Sequence, residues 1–151
     1  MAMNEFCGRV IAFEPDPVHY ECLVKNCPED VETHQLAVGN EEKMISLSED
    51  NFTQAKRVVG DGTIPMVTID SLNLDDVDLI KIDVEGFEME VLKGAENTLK
   101  NVDYLMIELN NNSKKYGSSN LEIEKHLRKS GYEILIKVWP DVVWRKKGGR
   151  K

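Results

Sequence analysis

Four carboxylates close or interrupt apolar runs in this chain. Glu14 follows Val10–Phe13, Asp83 and Glu85 follow Leu79–Ile82, and Glu108 falls inside Tyr104–Leu109. Short apolar runs of this kind read as buried strands, and in open α/β sheets ligands bind beyond the carboxyl ends of the strands. The three strands therefore bring their acids to one edge. An acid at the position of Glu14, with the chain fixed just beyond it by Pro15, suits the two hydroxyls of a ribose, which one carboxylate accepts together. Asp83 and Glu85 fall nearer the middle of the sheet, where a group under transfer would sit. Either suits a general base or a residue that orients a nucleophile. Capping of the following helix is a sufficient reason for Glu85 by itself, and for Glu108 the functional and structural reasons weigh evenly.

The elements that must hold these acids follow from pattern. Arg9–Glu14 is a short strand closed by Pro15 and Pro17, and a helix from Val18 to Asn26 is ended by Pro28. Val31–Val38 alternates loosely and reads as a second strand, stopped by Gly39-Asn40. Residues 43–72 hold strand-like pieces around the turn signal Gly60-Asp61-Gly62 and predict an antiparallel excursion, with a polar, mobile segment at Asn51–Lys56. Leu79–Val84, a helix carrying Phe87, Val91, Leu92, Ala95 and Leu99 on one face, and the Tyr104–Leu109 strand make a βαβ unit with parallel strands. Ser119 and Glu122 form a capping box ahead of Leu121, Ile123 and Leu127, in a helix that Gly131 stops. Glu133–Val138 and Val142–Arg145 then pair as an antiparallel hairpin around Trp139-Pro140-Asp141. The fold class expected is α/β, a mostly parallel sheet with an antiparallel end, in one domain over residues 1–151.

Composition narrows the function classes. A chain of 151 residues buries roughly 70% of its unfolded surface. No apolar stretch approaches the ~20 residues of a membrane span, and the first residues lack the basic start and apolar run of a leader, so a cytoplasmic location and no membrane partner are expected. Net charge is -8, and Arg145–Lys151 hold five basic residues and no acid; removing those five charges leaves -13 on the rest. A body so acidic repels phosphate backbones, which argues against a nucleic-acid partner. The three cysteines, Cys7, Cys22 and Cys27, lack paired spacing and read as reduced thiols. His19 and Cys22 share a helix face but Cys27 does not, so no metal site is expected there. Nowhere does a GxGxxG run suggest a nicotinamide cofactor.

Val10-Ile11-Ala12-Phe13-Glu14-Pro15-Asp16-Pro17, Leu36-Ala37-Val38-Gly39 and Asp78-Leu79-Ile80-Lys81-Ile82-Asp83-Val84-Glu85-Gly86-Phe87-Glu88 together resemble the FkbM-type methyltransferase family. Leu92-Lys93-Gly94-Ala95 and Ile107-Glu108 extend the likeness, which covers about residues 9–109. The resemblance implies a class I, Rossmann-like fold that binds S-adenosylmethionine and passes its methyl group to a hydroxyl oxygen of a sugar or small metabolite. It implies Glu14 at the cofactor ribose with Asp16 beside it, Ala37 and Val38 near the adenine, and Asp83 and Glu85 at the methyl-transfer site, with Asp83 also against the cofactor. Methyl transfer needs in-line alignment and loss of a hydroxyl proton, so positioning does most of the work. Glu108 and Tyr116 are substrate candidates because their segments lie at the same sheet edge, and residues 48–63 are a candidate for choosing the acceptor.

Members of that family normally carry a strand, an acidic Gly-rich loop and a helix ahead of the strand that ends at Glu14. Only eight residues precede Arg9, so the expectation is a sheet without its central strand, between those of Glu14 and Asp83. A truncated product, a unit supplied by another chain and a remnant that no longer methylates are the open explanations. Unpaired strand edges would favour a homo-oligomer. Two rival readings remain: a non-catalytic assembly module of the same fold, and a magnesium or manganese enzyme with Asp83, Glu85 and Glu108 as oxygen ligands.

Overall fold

The computed structural model describes residues 8–48, 58–110 and 112–149. Cys7 and the Asn51–Lys56 segment lie outside them, as does part of the 48–63 acceptor candidate. The chain gathers into two compact units, one from the residues up to Val38 together with Glu42–Val67, the other from Gly39–Glu41 and Thr68 onward.

The first unit opens with β1 (Val10–Phe13), α1 (Pro17–Asn26) and β2 (Val31–His34). β1 and β2 run parallel in register from Val10 opposite Val31 to Phe13 opposite His34. Asp16 sets the start of α1: its Oδ1 accepts the backbone N–H groups of Val18 and His19, both at 3.0 Å, and Pro17 needs no donor at that position. No residue of α1 is fully buried. The Tyr20 hydroxyl donates to the Thr33 carbonyl at 3.2 Å and ties the helix to β2.

The rest of this unit is β3 (Ala37–Val38), β4 (Lys43–Leu47) and β5 (Val58–Val67), in the order β3-β5-β4. The single strand expected over Val31–Val38 is therefore two, β2 beside β1 and β3 beside β5, broken at Gln35-Leu36. Its alternation was loose, and each half found a different partner. The antiparallel excursion is present as β4 against β5. The Gly60-Asp61-Gly62 signal is not a turn between strands; it lies within β5, where the register jumps from Ile45 opposite Ile64 to Ser46 opposite Val59. Glycines inside a strand pattern mark bulges as readily as turns, and the Ser46 hydroxyl donates to the Asp61 carbonyl at 2.9 Å.

The second unit holds β6 (Leu79–Ile82), α2 (Glu88–Lys93), β7 (Tyr104–Glu108), α3 (Asn120–Lys129), β8 (Tyr132–Val138) and β9 (Asp141–Lys146). Its sheet runs β6-β7-β9-β8, with β6 and β7 parallel and the last two pairings antiparallel. The parallel pair and the hairpin thus stand where expected. Ser119 caps α3 by accepting the Glu122 N–H, and its hydroxyl donates to the Glu122 carboxylate at 2.8 Å. Among the described residues β1 pairs only with β2 and β6 only with β7, and no described strand joins them.

The long helix expected over Phe87–Leu99 is shorter. α2 has six residues, followed by turns and a 3-10 turn at Thr98–Lys100. Gly94 is its C-cap, and a side chain there would collide with the Gly39 carbonyl. The apolar face survives the change: Val91, Leu92, Ala95 and Leu99 are all buried, against a sheet core of Leu105, Ile107, Val142 and Trp144. Beyond Gly94 the chain is gripped by Asp70, which accepts the N–H groups of Asn97 at 2.9 Å and Thr98 at 2.8 Å and the Thr98 hydroxyl at 2.8 Å. Burial opposes ionisation of Asp70, but these donors outweigh it and hold its pKa below the ordinary value of 3.8.

Asp70→Asn should cost about 1–2 kcal/mol in urea denaturation at neutral pH, because donors held by a carboxylate lose charge-assisted acceptors. A group with a depressed folded pKa stabilises above its unfolded pKa, so the difference from wild type should be full above pH 3.8 and shrink as pH falls through the lower folded value. An unchanged midpoint at neutral pH would contradict the clamp.

Candidate active site

The sequence-predicted residues divide between the two units. In the first, the Glu14 N–H donates to the His34 carbonyl at 3.1 Å, which carries the β1–β2 pairing one residue further. The Glu14 Oε1 accepts the Asp16 N–H at 2.8 Å, so the carboxylate is oriented by its own chain. Phe13 and His34 stack beside it with ring centroids 5.5 Å apart. Asp16 is buried, and its Oδ1 is the α1 cap. Ala37 is buried and Val38 half-buried at the β3–β5 pairing.

The second unit gathers Asp83, Glu85 and Glu108. Ile82 and Ile107 are partners in the parallel register, so the next residues, Asp83 and Glu108, come side by side and hydrogen-bond through their carboxyl groups. Glu108 is also opposite Asp141 across β7 and β9. Three acids in one row repel one another, and the structure relieves this in two ways. Lys81 Nζ donates to Asp83 Oδ2 at 2.7 Å. Burial opposes ionisation of Asp83, yet the hydrogen bonds from Lys81 and Glu108 prevail and hold its pKa below the usual range. The hydrogen bond to Asp83 pushes Glu108 the other way, helped by burial and by the charges of Asp83, Glu85 and Asp141. The two groups are thus driven in opposite directions, Asp83 losing its proton first and Glu108 holding its proton longer.

The turn after Asp83 is built from strained backbone. Glu85 has φ 53 and Gly86 φ 114, conformations that side chains disfavour. Three side chains hold it. Glu85 Oε2 accepts the amides of Asn110 at 3.0 Å and Asn112 at 2.9 Å. Glu88, 2% exposed, accepts the Gly86 N–H at 2.7 Å. Burial raises the Glu88 pKa, opposed by the Gly86 and Glu88 N–H groups and reinforced by the charges of Glu85 and Asp83. Tyr116 packs edge-on against Phe87 at 4.9 Å, which fixes the start of α2 from the segment after β7.

Lys81, Glu88, Asn110 and Asn112 were not singled out from sequence as site residues. Lys81 had a usable signal: it lies two residues before Asp83, so both fall on one face of a strand. The asparagines sit in a polar stretch whose pattern gives no partner. Among the described residues, no three of His, Cys, Asp or Glu are grouped so as to hold a metal ion. Of the three acids of the metal reading, Asp83 bonds Lys81 and lies beside Glu108, and Glu85 accepts the amides of Asn110 and Asn112.

A mixed α/β fold with carboxylates at the ends of parallel strands suits a ligand bound at the carboxyl edge of the sheet. Residues 2–134 match the model of the Methyltransferase FkbM domain, and the chain belongs to that family. It is 30% identical over 113 residues to the hexuronic acid methyltransferase AglP of Haloferax volcanii, an alignment covering 68% of this chain and 47% of that protein. Its fold matches a crystal structure of methyltransferase FkbM from Methylobacillus flagellatus KT with a TM-score of 0.62 at 20% identity, over 91% of this chain and 36% of that one. The chain thus spans about half the length of the curated relative it matches.

Gly86→Ala should destabilise the protein by about 1–3 kcal/mol, the usual scale for forcing a side chain into a Gly-only conformation. A Cβ at Gly86 would also lie 2.7 Å from the carbonyl carbon and oxygen of Asn112. Chemical denaturation measures it, and a variant as stable as wild type would contradict the turn geometry.

Proposed function

We propose that this chain takes part in S-adenosylmethionine-dependent methyl transfer to a hydroxyl oxygen of a sugar, with a hexuronic acid as the favoured acceptor. Family membership and the AglP likeness support the reaction and the acceptor class. The observation that carries the reading is the carboxylate of Glu14 at the end of β1, oriented by the Asp16 N–H and suited to a vicinal diol. Glu14, Ala37 and Val38 answer to the nucleoside end of the cofactor, with Asp16 holding α1 and the Glu14 carboxylate in place rather than touching the ribose. The cofactor, when bound, supplies an electrophilic methyl group.

In this reading the ionised Glu108, whose affinity for a proton is raised by Asp83, by burial and by the neighbouring acids, takes the acceptor's hydroxyl proton, while Lys81 holds the charge on Asp83. Glu85 stays fixed by Asn110 and Asn112 and shapes the wall beside Asp83. Cys22 and Cys27 are free thiols, in keeping with a reducing, cytoplasmic setting. No helix among the described residues is long and apolar enough to cross a membrane.

Calorimetric titration with S-adenosylmethionine is the direct test, followed by transfer of labelled methyl to a free hexuronic acid. Binding should be micromolar and fall at least about tenfold in Glu14→Ala, the loss expected for charge-assisted hydrogen bonds to a diol. No heat at millimolar cofactor would overturn the reading for this chain. Binding without transfer would retain the cofactor and reject the acceptor.

A further inference from the structure

α3 packs against β8 and buries Ile123 and Leu127 completely. His126, on the same helix, is half-buried, and its Nε2 atom is shut off from solvent with no hydrogen-bond partner among the described residues. A neutral imidazole tolerates this, because the tautomer protonated on Nδ1 leaves only an unpaired acceptor at Nε2. An imidazolium carries N–H on both nitrogens, and a buried donor on a charged ring without an acceptor is far more costly. The charges that act on the ring do not remove that cost. Lys129 on α3 and Lys93 on α2 repel a cation, and Glu96, just beyond α2, attracts one. Burial is the largest influence, and the balance holds the His126 pKa below the ordinary 6.5.

The start of the same helix is tied to the candidate site. Asn120, its first residue, donates from Nδ2 to the Leu109 carbonyl at 3.3 Å, and its Oδ1 accepts the Ser113 hydroxyl at 3.4 Å. Leu109 and Ser113 are buried and bracket Asn110 and Asn112, whose amides hold Glu85. We infer that His126 is a proton-operated latch on α3: the neutral ring keeps the helix seated, and protonation drives the ring outward, loosens α3 and frees the two asparagines from Glu85. A packed helix of ten residues shifts as a unit, so displacement at His126 reaches Asn120. The latch needs neither cofactor nor acceptor, so it stands or falls apart from methyl transfer.

The folded ring resists protonation and the unfolded ring does not. Its contribution to stability is therefore full above pH 6.5 and is lost as pH falls from there toward the lower folded value. Urea denaturation of the whole chain from about pH 8 to about pH 5 spans that window. His126→Gln stays neutral throughout, so the unfolding constant of wild type should rise several-fold more than that of the variant as pH falls. Over the same range the side-chain amide resonances of Asn110 and Asn112 should shift in wild type and hold still in the variant, a response that a merely buried histidine does not give. Should His126→Gln lose its wild-type circular dichroism, Glu96→Gln and Lys93→Met take its place: the first should lower the pH of the wild-type transition and the second raise it. Parallel stability curves for wild type and variant, a His126 ring that titrates at or above the ordinary value, or asparagine resonances indifferent to the ring would each overturn the latch.

Discussion

The second unit is organised around a buried carboxylate. Glu88 is almost wholly withdrawn from solvent, an expensive place for an acid unless its hydrogen bonds are made. Its partner is the N–H of Gly86, and that contact fixes a turn whose residues would otherwise leave the left-handed region. With the turn held, Asp83 stays at the end of β6, α2 starts where its apolar residues reach the sheet, and Glu85 meets the two asparagines that follow β7.

Crowding of like charge at the strand ends is the second constraint, and the chemistry follows from it. Asp83, Glu108 and Asp141 occupy consecutive positions across three strands. One ammonium group, Lys81, favours the charge on Asp83 alone. Glu108 is left as the acid that holds its proton longer. Two carboxyl groups at one site with pKa values driven apart are a means of proton transfer that neither would provide singly. The same arrangement explains why the acids here bind one another and a lysine instead of forming an open oxygen cage.

The parallel β6–β7 pair, the α1 cap region and the terminal hairpin were legible because each had a local cause: an apolar run, a proline, a capping serine. Glu14, Asp83 and Glu108 were legible as strand-end acids for the same reason. Three features were not. The early end of α2 at Gly94 has no periodic signal, and the close approach of that residue to the Gly39 carbonyl joins positions more than fifty apart in sequence. The glycines at 60–62 carry a signal common to turns and bulges, decided only by the pairing of β4. The split of Val31–Val38 was decided by competition between β1 and β5 for its two halves. Asp16 adds a role that motif reading did not give: its Oδ1 caps α1.

The most direct measurement is a carbon-detected nuclear magnetic resonance titration of the side-chain carboxyl groups of Asp83 and Glu108. The account predicts that Asp83 loses its proton below the ordinary aspartate range and Glu108 above the ordinary glutamate range, with each resonance also reporting the other's step. In Lys81→Met the Asp83 step should move upward. Two independent titrations at ordinary values, unaffected by Lys81, would contradict the shared-proton pair and with it the proposed base.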